Sequence, residues 1–259
     1  MAEVVHTAPL SFHIDPGADH PTVILHGIGS SDQAAVTKAI CGLAEDAPGC
    51  VPVDMGLVDG IEPDLLASLV DSAAAVKSRA KRVRLVNLCP AAHSLLDKLQ
   101  LTHVFCLEAA CRSDCSGHPC PFASKTWEAD LFELPSHLRS CREARDRVAR
   151  LADTLGFGTE QRDDVLLAVG ETTSNAIKHG RSNGQDSRFT VSCVATQHEM
   201  RVSVSDSGPG FNPSDIPDPA EGVLLEKGRG VHCTNAVMDE VDFRFGGGTT
   251  VRMVKYAAR

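Results

Sequence analysis

Apolar positions recur at helical spacing in two long stretches, 138–155 and the segment after Thr159. In the second, Val165, Leu166, Val169, Thr173, Ala176 and Ile177 fall on one face and predict a core-facing helix. Thr159 is the expected N-cap, Asp163 and Asp164 complement the dipole in the early turns, and Gly180 is the expected stop. Beyond it the period drops to two. Met200, Val202 and Val204 alternate with Arg201, Ser203 and Ser205, which predicts strands over 188–195 and 201–206 joined by a hairpin at 196–199. A further strand pair, 240–245 and 249–256, is expected across the glycines 246–248.

The front half has a different rhythm. Strands are expected at 22–26, 50–55 and 82–88, each followed by a helix, at 31–44, 63–78 and 91–99. Pro63 stands at a favourable first helical position. Strands alternating with helices predict an α/β layer structure. The fold class expected for the whole chain is therefore an α/β N-terminal domain followed by an α+β two-layer sandwich.

Candidate chemistry concentrates in the second half. Glu171 and Asn175 are four residues apart and share a helix face, with Lys178 and His179 one turn on. Carboxylate and amide oxygens are hard ligands suited to Mg²⁺ beside phosphates, and a carboxylate there can orient a hydroxyl for attack. Asp206 ends a strand, placed to accept from an adenine amino group, and Gly208 and Gly210 let the chain pass close to a base and sugar. The amides of Gly228, Arg229 and Gly230, with the Lys227 and Arg229 cations, form a candidate phosphate cradle. Each motif alone is weak, but their order along helix, strand end and loop points to nucleotide binding.

With these motifs in view, residues 136–256 resemble the GHKL, or Bergerat-fold, ATPase domain, and within it the anti-sigma-factor serine kinases. The carrying residues are ETTSNAIKHG from Glu171 to Gly180, DSGPGF from Asp206, KGRG from Lys227, and Gly248-Thr249-Thr250-Val251. The resemblance implies ATP and Mg²⁺ as cofactors. Glu171 would be the base that activates a substrate serine, Asn175 the Mg²⁺ ligand, and Asp206 the adenine reader, helped by Thr249. His179, Gly208, Gly210, Gly228, Arg229 and Gly230 would complete the pocket, with Lys227 the expected γ-phosphate contact. The helix over 138–155 has no histidine in an acceptor box, which argues against a histidine kinase.

Residues 12–109 resemble the STAS domain of anti-sigma-factor antagonists. At the place of the family's phospho-accepting serine this chain has Glu62-Pro63-Asp64-Leu65, so Asp64 occupies the acceptor position. The two resemblances together imply an ATP-dependent serine/threonine kinase that regulates transcription by partner switching. Its partners would be a sigma factor and a separate STAS protein, and a homodimer is expected. The alternative is a non-catalytic ATP-binding scaffold that responds to metal or redox state.

A second signal lies in the linker expected over 106–135, between the front domain and an ATPase domain over 136–259. Cys106, Cys111, Cys115 and Cys120 are close enough in sequence to close a zinc site or hold an iron–sulfur cluster, with free thiols or a redox disulfide as competing readings. Cys41, Cys50, Cys89, Cys193 and Cys233 are expected to be buried small apolar residues. The chain has 259 residues, enough for two cores, and its formal charge of −9 argues against direct nucleic-acid binding. No apolar run is long enough for a bilayer and no secretion signal is evident, so a cytoplasmic location is expected.

Overall fold

The computed structural model describes residues 12–17, 21–26, 33–47, 49–58, 60–79, 81–107, 127–180, 187–210 and 229–258. The chain separates into two units.

The first unit is built on a five-stranded sheet in sequential order: β1 (Phe12–Asp15), β2 (Thr22–Leu25), β3 (Val51–Asp54), β4 (Val83–Val86) and β5 (Cys106–Leu107). β1 pairs antiparallel with β2, and the other neighbours are parallel. Parallel neighbours need crossovers, and α1 (Gln33–Asp46), α2 (Pro63–Lys77) and α3 (Pro90–Lys98) supply them. Val23, Leu25, Val51, Val53, Val83 and Leu85 alternate into a core shared with Val36, Ile40, Leu65 and Leu69. The expected alternation of strands and helices is present. The edge strands β1 and β5 were not expected; at four and two residues they are too short to show a period.

The second unit is an antiparallel sheet in the order β6-β7-β8-β10-β9. Its strands are β6 (Trp127–Pro135), β7 (Arg188–Thr196), β8 (Glu199–Asp206), β9 (Glu240–Phe245) and β10 (Thr249–Tyr256). Three helices belong to it: α4 (Leu138–Leu155), α5 (Thr159–His179) and α6 (Arg229–Val237). Val148, Val165, Val169 and Ile177 pack with Phe189, Val191, Val202, Val204 and Met253 in one core. Burying four aliphatic helix side chains of this kind stabilises the sandwich by about 1.5–3 kcal/mol each before entropy is counted.

Ser94–Val104 also groups with this unit, as the end of α3 and a short 3-10 turn, Leu101–His103. Gln100, buried and left-handed at φ 57°, donates its amide to Val202 O at 3.1 Å and Ser203 Oγ at 3.0 Å. Ser192 Oγ donates to Leu99 O at 2.7 Å, and Arg252 pairs with Asp97 at 3.3 Å. Ser192, Ser203, Thr250, Val194 and Val254 are buried on this sheet face. The sheet is thus covered on both sides.

That cover explains one correction. Residues 127–135, expected as the end of a linker, are the edge strand β6, paired with β7 along its whole length. Trp127 and Leu131 are buried on one face while Phe132 and Leu134 are buried on the other, so the sequence shows no clean alternation. The α5 cap also differs. Thr159 is the first helical residue and Gly158 the N-cap, extended at ψ 152° with no side-chain cap bond. Of the five cysteines expected to be buried, only Cys193 is; Cys41, Cys50, Cys89 and Cys233 are partly exposed. The buried Cys193 thiol is pushed well above its ordinary pKa, chiefly by desolvation and secondarily by Asp130.

Candidate nucleotide site

The site forms where the C-terminal end of α5 meets the end of β8. Gly180 stops α5 as expected, but at φ −77° it is not the left-handed C-cap; its N–H donates to Ala176 O at 2.9 Å. It is a glycine because of space. A Cβ there would stand 2.3 Å from Ala176 O and 2.6 Å from Asp206 Cβ. Gly208 is confined from the other side, its Cβ position lying 2.5 Å from His179 O and 2.7 Å from Gly180 Cα. Two glycines from separate elements therefore let the helix end and the turn after β8 touch backbone to backbone.

Asp206 is held at this junction. Its Oδ1 accepts from the Gly208 N–H at 2.7 Å, and its register partner in β10 is the buried Thr249. Burial raises its carboxyl above the ordinary value. Hydrogen bonds from the backbone N–H groups of Gly208 and Thr249, and the charges of Lys98 and His179, oppose that rise. Gly248, at φ +138°, passes so close that a Cβ would fall 1.8 Å from Asp206 O. Gly210 takes φ +77°, with Phe245 Cδ1 3.2 Å and Thr249 Oγ1 3.6 Å from its Cβ position. Asp206, Gly208, Gly210 and Thr249 thus line one partly open corner, and Phe245, half-exposed on β9, stands at its rim.

Glu171 and Asn175 are partly exposed one turn apart on α5, as the spacing predicts. Across from them lies the start of α6. A Cβ on Gly230 would stand 2.7 Å from Glu171 Oε2 and 3.3 Å from Asn175 Nδ2. The bare glycine lets the start of α6 come close to one carboxylate and one amide, the donor set that suits a hard cation beside phosphate. His179 is exposed at the helix end and Arg229 is exposed at the start of α6. Lys227 and Gly228 lie outside the described residues.

One contributor had no trace in the sequence: Lys98 comes from the front half with no motif around it. Gly180 and Gly248 stood at the ends of motifs, legible as a helix stop and a strand turn but not as points of close backbone approach. Of the cysteine cluster, Cys106 is buried in β5, and Cys111, Cys115 and Cys120 lie outside the described residues. Among the described residues no group of three or more His, Cys, Asp or Glu is placed to hold a metal ion. No described helix is long and apolar enough to cross a membrane.

Residues 134–255 match the family described as the histidine kinase-like ATPase domain. The matched stretch lies within the second unit. The same stretch is similar to proteins named serine-protein kinase RsbW. The relative from Listeria monocytogenes serovar 1/2a (strain ATCC BAA-679 / EGD-e) is 28% identical over 134 residues, 48% of this chain and 85% of the relative. That from Bacillus mycoides (strain KBAB4) is 26% identical over 137 residues, 49% of this chain and 84% of the relative. Among solved structures, the RsbU and RsbW domains of Rv1364c from Mycobacterium tuberculosis align at 19% identity and a TM-score of 0.40, over 54% of this chain and 34% of that one.

Proposed function

We propose that this chain is an ATP-dependent protein serine/threonine kinase of the anti-sigma-factor type, regulating transcription by partner switching. One observation carries the reading: α5 bears Glu171 and Asn175 opposite Gly230, and its last turn abuts the Asp206–Gly208–Thr249 corner. A corner for adenine and a corner for metal and phosphate would therefore sit along one helix. The relatives' name, serine-protein kinase, supports the same reaction.

ATP supplies the phosphoryl group, and Mg²⁺ neutralises charge on its phosphates. In the proposal Asp206, ionised at neutral pH, accepts from the adenine amino group. The Asn175 amide oxygen serves the cation, and Arg229, with Lys227, takes phosphate oxygens. Glu171 accepts the proton of the substrate serine hydroxyl, a task that needs a carboxylate within hydrogen-bond reach of it. The substrate is a serine on a separate STAS-type protein, and a sigma factor is the competing partner. Pairing of two copies through the second unit belongs to the same proposal.

The first unit is read as a STAS-like module without an acceptor. Asp64 is exposed in the first turn of α2, after the N-cap Glu62 and Pro63. An acid there complements the helix dipole whatever its history. Asp64→Ser tests the reading, since ATP-dependent phosphate on the new serine is expected of a lost acceptor position and its absence refutes that origin. The zinc or iron–sulfur reading of Cys106, Cys111, Cys115 and Cys120 is decided by metal analysis of the purified protein before and after Cys111→Ser and Cys115→Ser.

The kinase itself is tested with labelled ATP and a panel of STAS proteins. Glu171→Gln is expected to lower transfer at least ~100-fold while ATP still binds. Transfer that persists in this variant removes Glu171 from the mechanism.

A further inference from the structure

Helix α4 carries five arginines, Arg139, Arg142, Arg145, Arg147 and Arg150, against three acids, in a chain whose formal charge is −9. Arg145 is turned to α5, its Cδ 3.4 Å from the Cβ position of Gly170. The other four line an open cleft of about 420 Å³ beside β6, whose remaining walls are Asp130, Glu143 and Asp146. No group of the nucleotide site lines it.

The arginines are not equivalent. Arg147 is committed to the scaffold: its Nε donates to Asp130 Oδ2 at 2.8 Å and its guanidinium lies 3.9 Å from the Phe132 ring centroid. Arg142 is 3.8 Å from Asp146, with both side chains mostly exposed, and such a pair contributes little. Arg139 and Arg150 have no carboxylate partner among the described residues, and Glu143 has no cation partner. Beside Arg139, Leu138 is 77% exposed, the largest exposure of any big apolar side chain described. Two uncommitted guanidiniums and one uncommitted carboxylate thus line one concavity, and the exposed Leu138 precedes Arg139 in the same helix.

We propose that this cleft docks an acidic segment of a partner protein. Arg139 and Arg150 pair with its carboxylates, for which the planar guanidinium fork is matched, and the exposed Leu138 beside Arg139 offers an apolar contact. A protein segment fits better than a phosphate backbone. Asp146 and Glu143 interrupt the positive surface, and the acidic chain around it repels a continuous polyanion, whereas a peptide can set a basic side chain opposite Glu143. The inference does not rest on the kinase reading.

The test is fluorescence anisotropy of a labelled peptide of alternating glutamate and leucine titrated with the full chain. A phosphoserine peptide and a single-stranded oligonucleotide serve as rival probes. Salt-sensitive binding is expected, weakened at least ~tenfold by Arg139→Glu with Arg150→Glu and partly kept by the two lysine replacements. ATP affinity and melting temperature should be unchanged in these variants; if the glutamates unfold the protein, the alanine pair is measured instead. No binding, or equal binding by the double variant, overturns the proposal. Tighter binding of the phosphopeptide or oligonucleotide also overturns it, in favour of a phosphate ligand.

Discussion

Glycine plays opposite parts at the candidate nucleotide site and around the first two helices. Around the nucleotide site, Gly180, Gly208 and Gly248 each occupy a place where a Cβ would lie 2.5 Å or less from a backbone oxygen. In the first unit, Gly60 lies ahead of α2 and meets nothing within 4 Å; Gly42, inside α1, meets nothing either. At the candidate site the backbone is drawn together until no side chain fits. The stretch ahead of α2 leaves space around Gly60. A site that grips a ligand through backbone is expected to look like the first, and a surface read by another protein like the second.

The largest effect that would break this contrast comes from Gly208→Ala. The added methyl meets backbone on both sides, so a destabilisation of about 3 kcal/mol or more is expected, with ATP binding lost, while Gly60→Ala stays within ~0.5 kcal/mol. Thermal melts of the two variants beside nucleotide titrations decide it; equal melting points would mean that the junction is not packed as described.

Next comes Gln100→Ala, which strips the Val202 carbonyl and Ser203 hydroxyl of a buried donor. A loss of about 1–3 kcal/mol is expected in denaturant titration. A silent substitution would show that the second face of the sheet is not held by this segment.

Asp206→Asn separates affinity from stability. ATP should bind at least ~tenfold more weakly, because a charged acceptor is replaced by an amide. The wild-type pH profile follows from the raised carboxyl. Between the unfolded value of 3.8 and the raised folded value, the folded chain holds more protons than the unfolded one. Stability from this group therefore falls as pH rises through that window. Asp206→Asn should lose that downward slope while keeping its melting temperature at neutral pH, and ATP affinity in the wild type should begin to fail at a less acidic pH than for an ordinary aspartate. A slope that survives the substitution assigns it to another group.

The smallest effect is a gain. Gly42→Ala adds a methyl in open space within a helix and should stabilise the protein by up to about 1 kcal/mol.

Much of the second unit was readable before any fold was known. The bounds of α4, β9 and β10 agree with expectation; α4 has one buried and one solvated face and shows its period, and the two strands flank an evident glycine turn. The Glu171–Asn175 face needed only the helical repeat. β6 was illegible for the opposite reason: Leu131 and Phe132 are both buried on opposite faces, so the two-residue alternation vanishes. The first unit gave its helices and three parallel strands but not its short edges, which carry too few residues for any period.

Sequence alone settled that a carboxylate and an amide share one turn of α5, that Asp206 ends a strand, and that Asp64, not serine, precedes the body of α2. These are local facts, dictated by residue spacing and element type. Only the tertiary structure decided that Gly230 faces Glu171, that Gly180 and Gly208 interlock beside Asp206, and that Gln100 reaches the back of the second sheet. Those contacts join residues tens of positions apart, and their determinants are space and backbone approach. Neither quantity has a period along the chain, so each becomes visible only when the elements are packed.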